Sequence, residues 1–157
     1  MSCVFCEIVA GNAPCHKIWE DADHLAFLSI YPNTPGFSVV IPKRHVTSYL
    51  FAQDDDVVTA LVLASKRVAL LLDEILDDVG RTGMIFEGYG VDHLHAKLFP
   101  MHGTGQHSAF KPIASSVNKY FDRYEGYISS HDHKREDDNI LANLAAKIRA
   151  SIYQQER

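Results

Sequence analysis

The residues best placed to do chemistry lie close together in Gly90-Val91-Asp92-His93-Leu94-His95-Ala96-Lys97-Leu98-Phe99-Pro100. His93, His95 and Lys97 alternate with Leu94, Ala96 and Leu98. A strand points successive side chains to opposite faces, so the spacing predicts a strand with one basic and one apolar face. The apolar face belongs in a core. Two imidazoles and an ammonium side by side repel unless an anion or a metal lies between them, and phosphate is the obvious anion. A second candidate is Cys3-Val4-Phe5-Cys6, a Cys-x-x-Cys pair that is a weak signal alone, because a closed tetrahedral zinc site needs two more ligands. A second basic knot is Lys43-Arg44-His45.

Composition narrows the setting. With 157 residues, the chain is long enough for one domain with a core. A formal net charge of -5 argues against a partner made of polymeric nucleic acid or anionic membrane. Any phosphate site must therefore be local. No apolar run reaches a membrane span and the first residues lack a signal-peptide pattern, so a cytoplasmic protein is expected. Three cysteines do not look like a secreted disulfide framework.

The elements that position these residues can be read in order. A short helix or turn follows the cysteine pair and ends at Pro14. Strands are expected at His16–Trp19 and His24–Ser29, around the polar turn 20–23. Tyr31 to Gly36 is a loop by its two prolines and glycine, and Phe37–Ile41 is an apolar strand closed by Pro42. Asp54-Asp55-Asp56 opens a helix whose Val57, Leu61, Ala64, Val68, Leu71, Leu72 and Ile75 recur at three- and four-residue steps. Gly80 is expected to stop it, with a strand over Thr82–Phe86 and a turn through Glu87-Gly88-Tyr89-Gly90 before the histidines. Residues 101–107 read as a loop. Residues 108–135 mix aromatics with polar residues and give no clear period. A last helix begins at Asp137-Asp138 and carries Ile140, Leu141, Leu144, Ile148 and Ile152 on one face. The fold class is α+β, one domain over 1–157, with a core of 1–105 and a C-terminal helical extension of 106–157.

Four blocks now converge. Cys3-Val4-Phe5-Cys6-Glu7-Ile8, Glu20-Asp21 to Phe27, Pro35-Gly36 with Val39 through His45, and His93-Leu94-His95 to Pro100 resemble, in order and spacing, the histidine triad (HIT) superfamily. The resemblance implies a five-stranded antiparallel sheet packed with helices, a homodimer, and hydrolysis or transfer at the α-phosphate of a nucleotide. It places the nucleophile at His95, through a covalent nucleotidyl-histidine that water hydrolyses, with no cofactor required for the chemistry. It maps a nucleoside pocket onto Phe5, Ile8, Phe27 and Ile30 beside Ser29, a set that equally describes core packing. It implies a structural zinc on Cys3, Cys6, His45 and His93. The cysteines also admit a reduced, metal-free pair or a small-loop disulfide.

The sequence departs from the family pattern at four positions. Lys97 stands where the third histidine would, and either contacts phosphate or is a solvated strand residue. Phe37 replaces a further histidine, Ser29 aligns with the ribose-binding aspartate, and Gly90 falls where a hydroxyl would protonate the leaving group. Two other functions stay open: a nucleotide-binding module with little turnover, and a zinc hydrolase built on His93, His95 and a loop histidine. His102 and His107 either close over the site or lie at the surface. His131 and His133 read as solvent-exposed, and Cys15 as a structural thiol.

Overall fold

The computed structural model describes residues 3–105, 110, 112–114, 116, 120–124 and 134–155. Helix α1 (Val4–Val9) is followed by β1 (His16–Glu20), β2 (His24–Leu28) and β3 (Ser38–Pro42). A 3-10 turn at Leu50–Ala52 leads into α2 (Asp55–Ile75), then β4 (Val79–Ile85), β5 (Ala96–His102) and α3 (Asp138–Gln155). The strands form one antiparallel five-stranded sheet in the order β1-β2-β3-β5-β4. The expected α+β class, sheet and helices are present.

Strand alternation sorts the apolar residues into two layers. On one face, Ala26, Leu28, Val40, Ala96 and Leu98 pack with Leu61, Ala64, Val68 and Leu72 of α2 and with Leu141, Ala145 and Ile148 of α3. On the other, Leu25, Phe27, Val39 and Ile41 meet Phe5 of α1 and Phe37. The first layer anchors the sheet, and the second is where the histidines lie. Helix α3 is tied on by His16 to Asp138 at 2.9 Å and by Arg149, which donates to the Lys17 carbonyl. No helix among the described residues is long and apolar enough to cross a membrane.

Three sequence expectations shift. The histidine-bearing strand begins at Ala96, not Gly90, and runs to His102. Its pairing with β3 is confined to Val40↔Ala96, Val39↔Lys97 and Ser38↔Leu98. Before that point the backbone turns elsewhere, with Leu94 N–H donating to the Val46 carbonyl at 2.8 Å. The alternating faces nevertheless persist through the lead-in, because Leu94 is buried in the α2 layer while His93 and His95 pack against Phe5.

Gly80 does not stop α2. The helix ends at Ile75, and Gly80 lies inside β4. Its role is close approach: a Cβ there would stand 2.5 Å from the Thr104 carbonyl oxygen. Finally, Met101 and His102 belong to β5 and not to the expected 101–107 loop, and His102 takes the surface reading, lying 2.9 Å from Asp78 and 2.8 Å from the Pro35 carbonyl. Burial alone would lower its pKa, but that carbonyl and the Asp78 carboxylate raise it above the usual imidazole value. His107, His131 and His133 lie outside the described residues.

Leu72 is fully buried between α2 and the sheet, whereas Lys66 on the same helix is exposed. Leu72→Ala should lower unfolding free energy by about 2–5 kcal/mol, the usual range for a leucine removed from a packed core. Lys66→Ala should change it by less than about 0.5 kcal/mol. Urea denaturation of both variants checks this, and equal effects would contradict the layer assignment.

Candidate active site and metal centre

His93 is where the two functional clusters meet. It is fully buried, and its Nε2–H donates to the Pro42 carbonyl at 2.8 Å, at the end of β3. That bond fixes the tautomer and leaves Nδ1 as the ligating atom. Nδ1 lies 3.4 Å from Cys3 Sγ and 3.6 Å from Cys6 Sγ, while Cys6 Sγ lies 3.4 Å from His45 Nδ1. The four ligand atoms all fall within 4.8 Å of one another. A tetrahedral zinc, with bonds of about 2.3 Å to sulfur and about 2.0–2.1 Å to nitrogen, sets those ligands about 3.5 Å apart. Donor types and spacing therefore fit one such ion, and this cluster could hold a metal. Burial is the main cause of a lowered His93 pKa, with His45 adding to it and the Pro42 bond opposing. The neutral form is the one a metal needs.

The carbonyl of His93 does a second job. His95 Nδ1 lies 2.7 Å from it and donates its proton there. Nε2 of His95 is then the ring atom with a free lone pair. His95 is 4% exposed, and its pKa is lowered, chiefly by burial and then by the neighbouring Lys97 cation, against the His93 carbonyl bond that raises it. A buried imidazole that stays neutral and has one nitrogen fixed is a usable nucleophile.

A cavity of about 370 Å³ opens beside it. Its walls include Phe5, Ile8, Phe27, Ser29 and Ile30 together with His95 and Lys97. The sheet and α1 thus bring all seven of these sequence-predicted residues to one concave site. Phe5 sits edge-on to Phe27, His93 and His95, with centroids 5.5, 5.7 and 5.4 Å apart. Ser29 accepts the Tyr31 backbone N–H on its Oγ at 3.2 Å. Phe37 also lines the wall and stacks on Phe99 at 4.5 Å. Gly90 borders the space too, with nothing within 4 Å of where a Cβ would project.

Lys97 is not a solvated strand residue. Its ammonium lies 3.2 Å from the Glu87 carboxylate, and the two side chains are 13% and 11% exposed. By sequence alone Glu87 is only part of the polar turn 87–90. The signal for it was register: Ile85 pairs with Lys97, so continuing the antiparallel ladder sets Glu87 across from His95, on the same face. Gly88 then turns the chain away at φ 79°, a backbone conformation suited to glycine. Cys15, expected as a structural thiol, lines the cavity, and burial pushes its thiol pKa up. The loop-histidine zinc site does not form among the described residues, since His102 is held by Asp78 and Pro35, and His95 is not in the metal cluster.

Comparison with known proteins agrees with this geometry. The family model for the HIT domain matches residues 10–104. An adenosine 5′-monophosphoramidase of Schizosaccharomyces pombe is 37% identical over 100 residues, covering 64% of this chain and 74% of that protein. A Zn-bound histidine triad family protein from Mycobacterium smegmatis superposes with a TM-score of 0.67 and 25% identity, covering 99% of this chain and 96% of the other. A hypothetical histidine triad nucleotide-binding protein from Sulfolobus tokodaii shares the fold, with a TM-score of 0.72 at 23% identity over 99% of this chain and 95% of its own. With the matched domain spanning most of the sheet and the whole His93–Lys97 stretch, the chain belongs to the HIT family.

Proposed function

We propose that the protein is a hydrolase or nucleotidyltransferase acting at the α-phosphate of a nucleotide, through a covalent nucleotidyl-histidine on His95. The observation that carries this reading is the 2.7 Å bond from His95 Nδ1 to the His93 carbonyl, which leaves Nε2 free in a residue that lines the cavity. Phe5, Ile8, Phe27 and Ile30 are apolar surfaces suited to a base, and the Ser29 hydroxyl is suited to a ribose. Lys97 offers positive charge for the phosphate oxygens. The relative named as an adenosine 5′-monophosphoramidase supports a nucleoside phosphoramidate or dinucleoside polyphosphate as substrate class.

In this reading the cluster of Cys3, Cys6, His45 and His93 holds a structural zinc that clips α1 to the end of β3. Four protein ligands fill a tetrahedral ion, so no position is left for substrate or an activated water. The Zn-bound relative supports the choice of metal. A homodimer in the cytoplasm completes the expectation. A nucleotide-binding module with little turnover is the second reading, and one observation favours it: Glu87 offsets the charge of Lys97 beside the nucleophile.

Product analysis with chelator present separates the two. Adenosine phosphoramidate, an AMP-lysine conjugate and diadenosine polyphosphates should yield AMP from at least one substrate. His95→Ala should lower that turnover by about 10³-fold or more, as expected for loss of a nucleophile. Turnover surviving in His95→Ala would remove the assigned nucleophile, and binding without turnover would favour the module.

Metal analysis of the purified protein should find about one zinc per chain. The Cys3→Ser/Cys6→Ser double variant should lose it and melt at lower temperature. The metal should contribute about 4 kcal/mol to stability when free zinc exceeds its dissociation constant about 1,000-fold. A metal-free wild type with unchanged melting in chelator would contradict the structural role.

A further inference from the structure

We propose that Lys97 is the acid that protonates the leaving group, and that Glu87 is the positioning residue that aims it. The proposal rests on the His95 mechanism above and assigns the step that mechanism leaves open. A poor leaving group, such as an alkyl amine or an alkoxide, cannot depart from phosphorus without a proton. Few groups at the cavity can supply one. Gly90 has no side chain. His95 spends its Nδ1 proton on the His93 carbonyl and uses its other nitrogen to attack. Ser29 Oγ accepts the Tyr31 backbone N–H and keeps its own proton, but an aliphatic hydroxyl is far too weak an acid to give that proton up, and Phe37 carries none.

Lys97 differs from all of these. It follows His95 by two positions, on the same side of the chain, and lines the same cavity. An ammonium has three N–H donors and no acceptor. With one directed to Glu87 at 3.2 Å, two remain for the phosphate and the departing atom. Glu87 thus fixes where the other two point. The backbone holds the pair: Lys97 is central in the sheet between Val39 and Ile85, and Gly88 sets the turn beside Glu87. A Cβ on Gly88 would stand 3.0 Å from the Ser48 carbonyl oxygen. Besides Lys97 and His95, the titratable groups lining this cavity among the described residues are Cys15 and Tyr31.

The step balances as follows. The lone pair of His95 Nε2 forms the N–P bond as the bond from phosphorus to the leaving atom breaks. The electron pair of that bond stays on the leaving atom, which takes a proton from the Lys97 ammonium. In the second half, the Lys97 amine takes a proton from water as the water oxygen bonds to phosphorus. The N–P bond then breaks, and its electrons return to Nε2.

The test uses leaving groups of graded basicity on adenosine 5′-phosphate: p-nitrophenol, which departs unprotonated, and an alkyl amine, which cannot. The full-length protein is measured as wild type, Lys97→Arg and Glu87→Gln. Arginine keeps the charge but does not give up its proton. Lys97→Arg should lower kcat for the amine by about 10²-fold or more while changing the p-nitrophenyl rate by less than about fivefold. Glu87→Gln, which no longer aims the ammonium, should lower kcat for the amine by about tenfold while changing the p-nitrophenyl rate by less than about threefold, and Glu87→Asp should recover part of the loss. An equal loss on both leaving groups in Lys97→Arg, or no loss on either, overturns the acid role. Equal losses on both leaving groups in Glu87→Gln, or no loss on either, overturn the role of the carboxylate. If wild type releases p-nitrophenol and His95→Ala does not, the nucleophile stands whatever Lys97 does. If neither substrate reacts with wild type, both readings fall together.

Discussion

Everything in the site depends on how one buried histidine spends its polar atoms. The Nε2–H of His93 is held by the Pro42 carbonyl, its Nδ1 faces two cysteine sulfurs, and its carbonyl holds His95. A polar side chain buried this deeply is costly unless its atoms are satisfied. Satisfying them ties three parts of the chain together: the end of β3, the N-terminal turn and the candidate nucleophile. Moving His93 would disturb the metal-type cluster and the His95 tautomer at once. This explains why a sheet of ordinary apolar residues can hold a buried imidazole in one orientation.

The two faces of the sheet divide the work. The face under α2 and α3 is a continuous apolar layer and supplies the rigidity. Among the described residues the opposite face is covered by a six-residue helix and the Phe37 loop, and the part they leave open is the cavity. A helix so short has little stability of its own. Phe5 packs it against Phe27 and both histidines, and the cysteines flank that contact. The cover is thus pinned by the same residues that the candidate chemistry uses.

Much of this was legible in the sequence, for physical reasons. Period-two alternation placed Leu94, Ala96 and Leu98 against the helices, and three- and four-residue steps located α2 nearly to its ends. The family blocks named residues that the fold gathers at one cavity and one metal-type cluster. What stayed hidden depended on tertiary partners. The start of β5 is set by the Val46 carbonyl taking the Leu94 amide, which no local pattern reports. Gly80 resembled a helix stop because glycine signals a break and a close approach alike. Glu87 looked like turn polarity until the β4–β5 register set it beside Lys97.

The most direct measurement is intact-protein mass spectrometry after rapid acid-free quenching, with the nucleotide substrate in excess, followed by peptide mapping. The account predicts a transient gain of one nucleoside monophosphoryl group per chain, located on His95. A wild-type enzyme that turns over with no such adduct, or with the adduct on another residue, would contradict it.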